Sequence, residues 1–283
     1  MDLRPSSLHN SGTDPTEHRR LLTVDGVVVS AAYDAGPTSA PDICFVVAHG
    51  FTGSWHRPDS RRIAVGLAAF GPVVSVDMRG HGRSGGASTI GDAEVYDVDA
   101  AVSYARWLGH RQIVTVGFSM GGSVVLRQAA LADAGVRPCA VVSVSSAAFW
   151  FYQGTAPMRL LHRAVFSRTG RSVLRSGFGT RVTDQMWQEP YPLSPSDAAA
   201  LLAPVPLLVV HGARDAYFPR EHPDTVVASA RAGALARGVV DNTEFWWEPG
   251  FAHAESATDP DLVHRIGSWS SQHVAAAGLR TGP

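Results

Sequence analysis

From residue 43 onward, short, mainly apolar runs alternate with longer stretches of helical period. The runs cover 43–48, 73–76, 112–116, 140–144, 206–210 and 243–247. Runs with no polar alternation fit strands covered on both faces, as in a parallel sheet. Between them, helical patterns span 61–70, 93–108, 120–134, 221–237 and 262–276. Strand–helix alternation predicts a mostly parallel, doubly wound α/β sheet.

Two stretches stand outside this rhythm. Residues 1–20 are rich in Ser, Pro, Asp and Asn and read as a flexible leader, followed by a hairpin over 21–33 with Asp25-Gly26 as its turn. Farther on, about sixty residues separate the strand ending near 144 from the one starting near 206, far more than a crossover requires. We read a core of 21–145 and 201–283, interrupted by a small, partly helical insertion over 146–200 that covers one end of the sheet. The insertion opens on Phe149, Trp150, Phe151 and Tyr152 and holds an amphipathic stretch over 158–165.

Composition narrows the chemistry. Apolar residues make up 45% of 283, enough for one large core. The 24 basic and 25 acidic residues nearly cancel, which argues against a dedicated nucleic-acid binder. All 24 basic residues are Arg; with no Lys, Schiff-base, pyridoxal-phosphate and P-loop chemistry are excluded. Cys44 and Cys139 lie in apolar runs without a CxxC pair and read as buried thiols, so no metal site is expected. Residues 1–20 hold no apolar stretch of a signal peptide and no run reaches the length of a membrane span, so a cytoplasmic location is expected.

Two segments match G-x-S-x-G: Gly117-Phe-Ser119-Met-Gly121 and Gly82-Arg-Ser84-Gly-Gly86. A nucleophile elbow requires a strand running into the turn and a helix running out. Ser119 has both; Ser84 has neither and reads as loop punctuation. A serine hydroxyl needs a base, and the base an orienting acid. Asp215 follows the run 207–210, and His253 lies between the last strand and the last helix. All three candidates thus fall at the carboxyl ends of strands, where open α/β sheets gather their ligands. His211 lies within its strand run and reads as structural, while His222, His264 and His273 fall on helices as solvated or packing residues. Asp241 and Asp184 stand next in line as the acid.

His49-Gly50-Phe51-Thr52-Gly53-Ser54 follows the first buried strand, placed to present backbone N–H groups to a developing oxyanion. With this set in order (HGFTGS, VDMRGHGRS, GFSMGG, HGARD, GFAH) the chain over about 40–277 resembles a serine hydrolase of the α/β-hydrolase superfamily. The resemblance implies Ser119 as nucleophile, His253 as base and then acid, Asp215 as its orienting acid, and the backbone N–H groups of Phe51 and Met120 as oxyanion hole. Under it, His49 and Gly50 shape the loop, and Arg79, His81 and Arg83 are structural. The loop lacks the HGGG of one lipase and esterase branch, and Ser rather than Asp at the elbow argues against epoxide hydrolase and dehalogenase chemistry.

The function expected is cofactor-free cleavage of carboxylic esters of small to medium apolar acyl groups, with a small-molecule acyl substrate. Phe149, Trp150, Tyr152 and Leu161 are the candidate pocket lining. Thioesterase, amidase or carbon–carbon hydrolase activity shares the same apparatus; a haloperoxidase or perhydrolase, or a hydrolase-fold receptor, are further alternatives. From Arg159 to Arg181 run six Arg and no acid, a feature of either a solvated face or one that attracts anions.

Overall fold

The structure, a computed structural model, describes residues 16–37, 43–185 and 187–279. Its strands are β1 (Thr16–Leu22), β2 (Val28–Asp34), β3 (Ile43–Ala48), β4 (Val73–Asp77), β5 (Gln112–Phe118), β6 (Ala140–Val144), β7 (Leu207–Gly212) and β8 (Thr243–Glu248). They form one sheet in the order β1-β2-β4-β3-β5-β6-β7-β8. β1 and β2 pair antiparallel, as do β2 and β4, and the remaining neighbours are parallel. The helices are α1 (Pro58–Ala68), α2 (Val95–Trp107), α3 (Met120–Leu131), α4 (Ala156–Phe166), α5 (Arg168–Phe178), α6 (Pro195–Ala199), α7 (Glu221–Arg237), α8 (Ala254–Ala257) and α9 (Pro260–Leu279).

Strand β3 shows why the apolar runs carry no alternation. Every residue is buried: Cys44, Val46 and Ala48 face one core, with α2, α3 and α7, while Ile43, Phe45 and Val47 face the other, with α1 and α9. A strand covered on both faces has no solvent side to fill with polar residues. From β3 the chain crosses to β4 on one side and then to β5 on the other. The order therefore reverses between β3 and β5, and a crevice opens beyond their carboxyl ends.

The structure corrects the leader boundary. Residues 16–20 belong to β1, paired from Thr16 opposite Asp34 to Leu22 opposite Val28; residues 1–15 lie outside the described residues. The polar side chains that suggested a leader suit an edge strand, where Thr16 Oγ1 donates to Asp34 at 2.7 Å and the Arg61 guanidinium grips the same carboxylate. The turn closes around Gly26 at φ 85°, whose N–H donates to Thr23 O.

Between β6 and β7 the described residues form three helices where the sequence pattern showed one. The apolar stripe of α5, Val173, Leu174 and Phe178, shares its side with Gly170 and Gly177, residues that disfavour a helix, so the pattern alone does not mark it. Its ends fix it instead: Ser167 Oγ accepts from Gly170 N at 3.0 Å, and Gly179 closes it in the left-handed conformation. Helix α1 starts at Pro58, earlier than apolar spacing indicated, because proline is favoured at the first helical position.

The loop after β4 is knitted into the core. The guanidinium of Arg79, 4% exposed, donates to Asp25 in the hairpin turn at 2.6 Å and to Asp97 on α2 at 2.8 Å. Ser84 is buried; its Oγ donates to Asp77 O and accepts from Ser30 N, an assignment wholly within the scaffold. Removing one partner of a buried ion cluster strands the others. Arg79→Ala is therefore expected to destabilise the fold by about 3–5 kcal/mol, read as a urea midpoint; Arg83→Ala, at an exposed position nearby, is the control and should move it by less than about 1 kcal/mol.

Candidate active site

Ser119 sits between β5 and α3 with φ 51° and ψ −115°, a conformation that L-residues rarely hold. The turn is compressed on every side. A Cβ on Gly117 would come within 2.1 Å of Gly121 O, and one on Gly121 within 2.3 Å of Ala48 O. The glycines of the motif are thus demanded by backbone contacts within the turn and against the end of β3. The Ser119 N–H is fixed by Val144 O at 2.8 Å, which leaves Oγ directed into the crevice.

His253 Nε2 lies 2.9 Å from Ser119 Oγ, and its Nδ1 lies 2.7 Å from Asp215 Oδ2. A carboxylate only accepts, so Nδ1 carries the proton in this arrangement and Nε2 is left as the acceptor for the serine hydroxyl. Asp215 has a side chain 1% exposed, and its Oδ1 accepts from Tyr217 N at 2.8 Å and Phe218 N at 3.0 Å. Burial works to raise its pKa, but the His253 hydrogen bond and charge together with those N–H groups outweigh it and hold the carboxyl below its ordinary value. Tyr217 stacks on the His253 ring at 4.3 Å. Asp184 and Asp241 stand apart from this chain; Asp241 faces Arg231 on the surface.

The remaining predicted residues fall around one cavity of about 590 Å³, lined by Phe51, Met120, Phe149, Trp150, Tyr152 and Leu161 together with Ser119 and His253. That is ample for a small organic ligand. Met120 is the first residue of α3, so its N–H has no acceptor within the helix. Trp150 is anchored by its Nε1–H to Pro192 O at 2.8 Å, and Phe149 stacks on His222 at 4.5 Å. Among the described residues, no group of three or more His, Cys, Asp or Glu side chains is placed to hold a metal ion.

Three features escape sequence reasoning. Glu255 Oε1 accepts from Gly50 N at 2.6 Å and so ties the loop carrying Phe51 to the loop carrying His253. Burial pushes its carboxyl up, against the hydrogen bonds that stabilise the charge. Ser145 Oγ accepts from Ala254 N at 3.1 Å, pinning the His253 loop to the end of β6. Neither contact has a signature in the sequence. The third, the turn from Asp215 to Phe218, has one: Asp capping N–H groups two and three residues ahead is a common turn device.

His49 and His222 are buried as neutral rings. His49 Nε2 accepts from Met78 N while Nδ1 donates to Gly50 O at 2.7 Å; burial pushes its pKa down to about 4. His222 is fully buried beneath Phe149 and Tyr152, its Nδ1 accepting from Ala148 N at 3.0 Å, and burial lowers it to about 4 as well. An unfolded His titrates near 6.5. As pH falls from there to about 4, the unfolded chain takes up a proton that the folded chain refuses, so this part of the stability is present above 6.5 and lost toward 4. His222→Asn keeps an acceptor for Ala148 N and removes the titration. Wild type is expected to lose about 1–3 kcal/mol relative to this variant over that interval, measured as the gap between their urea midpoints; a constant gap would refute the assignment.

Comparison with known proteins agrees with this architecture. A family model of the alpha/beta hydrolase family matches residues 45–261. Among solved structures, an esterase from Pyrococcus furiosus superposes with TM-score 0.67 at 20% identity, covering 96% of this chain and 99% of that one. The esterase domain of a Rhodothermus marinus protein gives 0.60 at 17% identity, covering 92% and 99%. A serine hydrolase without lid from Xanthomonas campestris gives 0.56 at 18%, covering 98% and 100%. No helix among the described residues is long and apolar enough to cross a membrane. The matched span, with the sheet order and helix placement that go with it, makes this chain a hydrolase of the alpha/beta hydrolase family.

Proposed function

We propose that the protein is a serine esterase that cleaves carboxylic esters of small to medium apolar acyl groups through an acyl-enzyme. The observation that carries this reading is the unbroken run of hydrogen bonds Ser119–His253–Asp215, at 2.9 and 2.7 Å, beside an apolar cavity. In the proposed reaction Ser119 Oγ attacks the ester carbonyl carbon while its proton passes to His253 Nε2. The oxyanion is received by the N–H groups of Phe51 and Met120, the first held in position through Gly50 and Glu255. His253 then returns the proton to the departing alkoxide, leaving the acyl group on Ser119. Water attacks that ester, gives a proton to His253, and the acid departs as Ser119 recovers its hydrogen. Asp215 keeps the imidazole in the tautomer this sequence needs and stabilises it while it is charged.

Helices α4 and α5 serve in this proposal as a small cap, with Leu161, Phe149, Trp150 and Tyr152 lining the acyl site. The elbow also fits thioesters, amides and carbon–carbon bonds; the apolar lining favours a neutral, apolar acyl group in each case.

Ser119, and not Ser84, is expected to take up a fluorophosphonate probe, located by peptide mapping. Asp215→Asn is expected to lower kcat for p-nitrophenyl butyrate by about ten-thousand-fold with the melting curve preserved; near-wild-type turnover would place the acid elsewhere. Each methylene of the acyl chain that enters the cavity contributes about 0.8 kcal/mol, roughly fourfold in kcat/KM. Rates for p-nitrophenyl esters should climb from acetate to hexanoate and then level off, with thioester and amide counterparts slower. A steady fall from acetate upward would show that the cavity does not take the acyl group.

A further inference from the structure

Between Asp133 and Asp184 the chain carries no acidic residue, and the part of it from 159 to 181 carries six arginines, Arg159, Arg163, Arg168, Arg171, Arg175 and Arg181. The chain as a whole is net −1, so the rest of the molecule is net acidic and the charge is strongly polarised toward α4 and α5. None of these six arginines pairs with a carboxylate among the described residues. Arg171 donates to Val165 O and braces the hairpin of helices, Arg159 donates to Gly154 O just before α4, and Arg181 donates to Gly86 O in the loop after β4. Arg163, Arg168 and Arg175 are exposed and make no such bond. Helices α4 and α5 pack chiefly on each other, so their outer faces stand clear of the sheet.

Large apolar side chains are exposed on and beside these helices. Phe151, Leu160, Phe166, Val173 and Phe178 are between 43% and 63% exposed. All but Val173 also line the cavity that holds Ser119, so they form its rim rather than a patch remote from it. On α4 the exposed positions 159, 160, 163 and 166 fall on one side of the helix, which interleaves cations with apolar groups. A solvated face has no use for exposed Phe and Leu, and an apolar protein interface is depleted of unpaired charge. A surface that offers anionic phosphates at one depth and hydrocarbon just below satisfies both sets at once.

We propose that the α4–α5 face docks the protein on a bilayer bearing anionic lipid headgroups, with Arg163, Arg168 and Arg175 at the phosphates and the Leu160, Phe166 and Phe178 side chains below them. The docking stands on charge and exposure alone. Its consequence rests on the esterase reading: docking aims the cavity mouth at the bilayer, so an amphiphilic ester's acyl chain passes from lipid to Ser119 without crossing water.

Purified full-length protein sedimented with phosphatidylcholine vesicles, with and without phosphatidylglycerol, tests it. Binding is expected only with phosphatidylglycerol and should weaken as salt rises. The triple variant Arg163→Gln/Arg168→Gln/Arg175→Gln should lose about fivefold in partitioning per arginine removed, and Leu160→Glu should weaken it as well. The triple variant should keep its melting temperature and its hydrolysis of soluble p-nitrophenyl butyrate, because none of the three arginines lines the cavity. Absence of binding, equal binding to neutral vesicles, or full binding by the folded triple variant would overturn the proposal. Binding to soluble poly-glutamate but not to vesicles would overturn it too and assign the face to an acidic protein. Docking without any ester hydrolysis would leave the surface assigned and refute only the esterase reading.

Discussion

The turn at Ser119 is the constraint around which the site is arranged. Its backbone lies at φ 51°, and the carbonyls of Gly121 and Ala48 leave no room for a side chain at Gly117 or Gly121. Such a conformation is costly, of the order of 1–3 kcal/mol, and persists only where the surroundings over-determine it. Here they do. β5 is buried between β3 and β6, the Ser119 N–H is held by Val144 O, and α3 leaves the turn packed along the sheet. The strain lifts the hydroxyl out of the sheet plane into the crevice that the strand order opens between β3 and β5.

The other groups reach that point by separate supports that meet at the same end of the sheet. Asp215 is set by N–H groups two and three residues ahead, within its own turn. His253 is set by distant partners: Ser145 grips the next residue, and Glu255 links the loop to Gly50. The loop after β3 is in turn bound to the loop after β4, because Asp77 accepts from Ser54 Oγ and Trp55 N as well as from Arg83 N. The loops are thereby tied to one another, and the Arg79 ion cluster carries the connection on to the β1–β2 hairpin.

Packing against the sheet thins toward α4 and α5. These helices contribute few residues to either core and keep large apolar side chains in solvent. The two ends of the cavity therefore differ physically: a fixed polar constellation at the sheet, and an apolar, arginine-edged rim on helices that pack mainly on each other. Precise geometry is held at one end and adaptable contact is available at the other.

The sequence by itself determined the α/β alternation, the position of the elbow, and the strand ends from which Ser119, Asp215 and His253 project. These are local properties: burial on both faces erases alternation, and a turn too tight for side chains demands glycine. Even the preference for Ser119 over Ser84 was legible, since only the first is flanked by a strand and a helix. Tertiary structure alone decided the rest. The first strand was hidden because an edge strand tolerates the polar residues of a leader, and α5 because Gly170 and Gly177 dilute its apolar stripe. The links from Glu255 to Gly50 and from Ser145 to Ala254 span 205 and 109 residues, and no local pattern encodes which distant N–H a buried oxygen will meet. The run of arginines was visible in the chain, but that it edges the mouth of the cavity depended on how α4 and α5 fold back over the sheet, because a helix's outward face exists only once its inward face has found a partner.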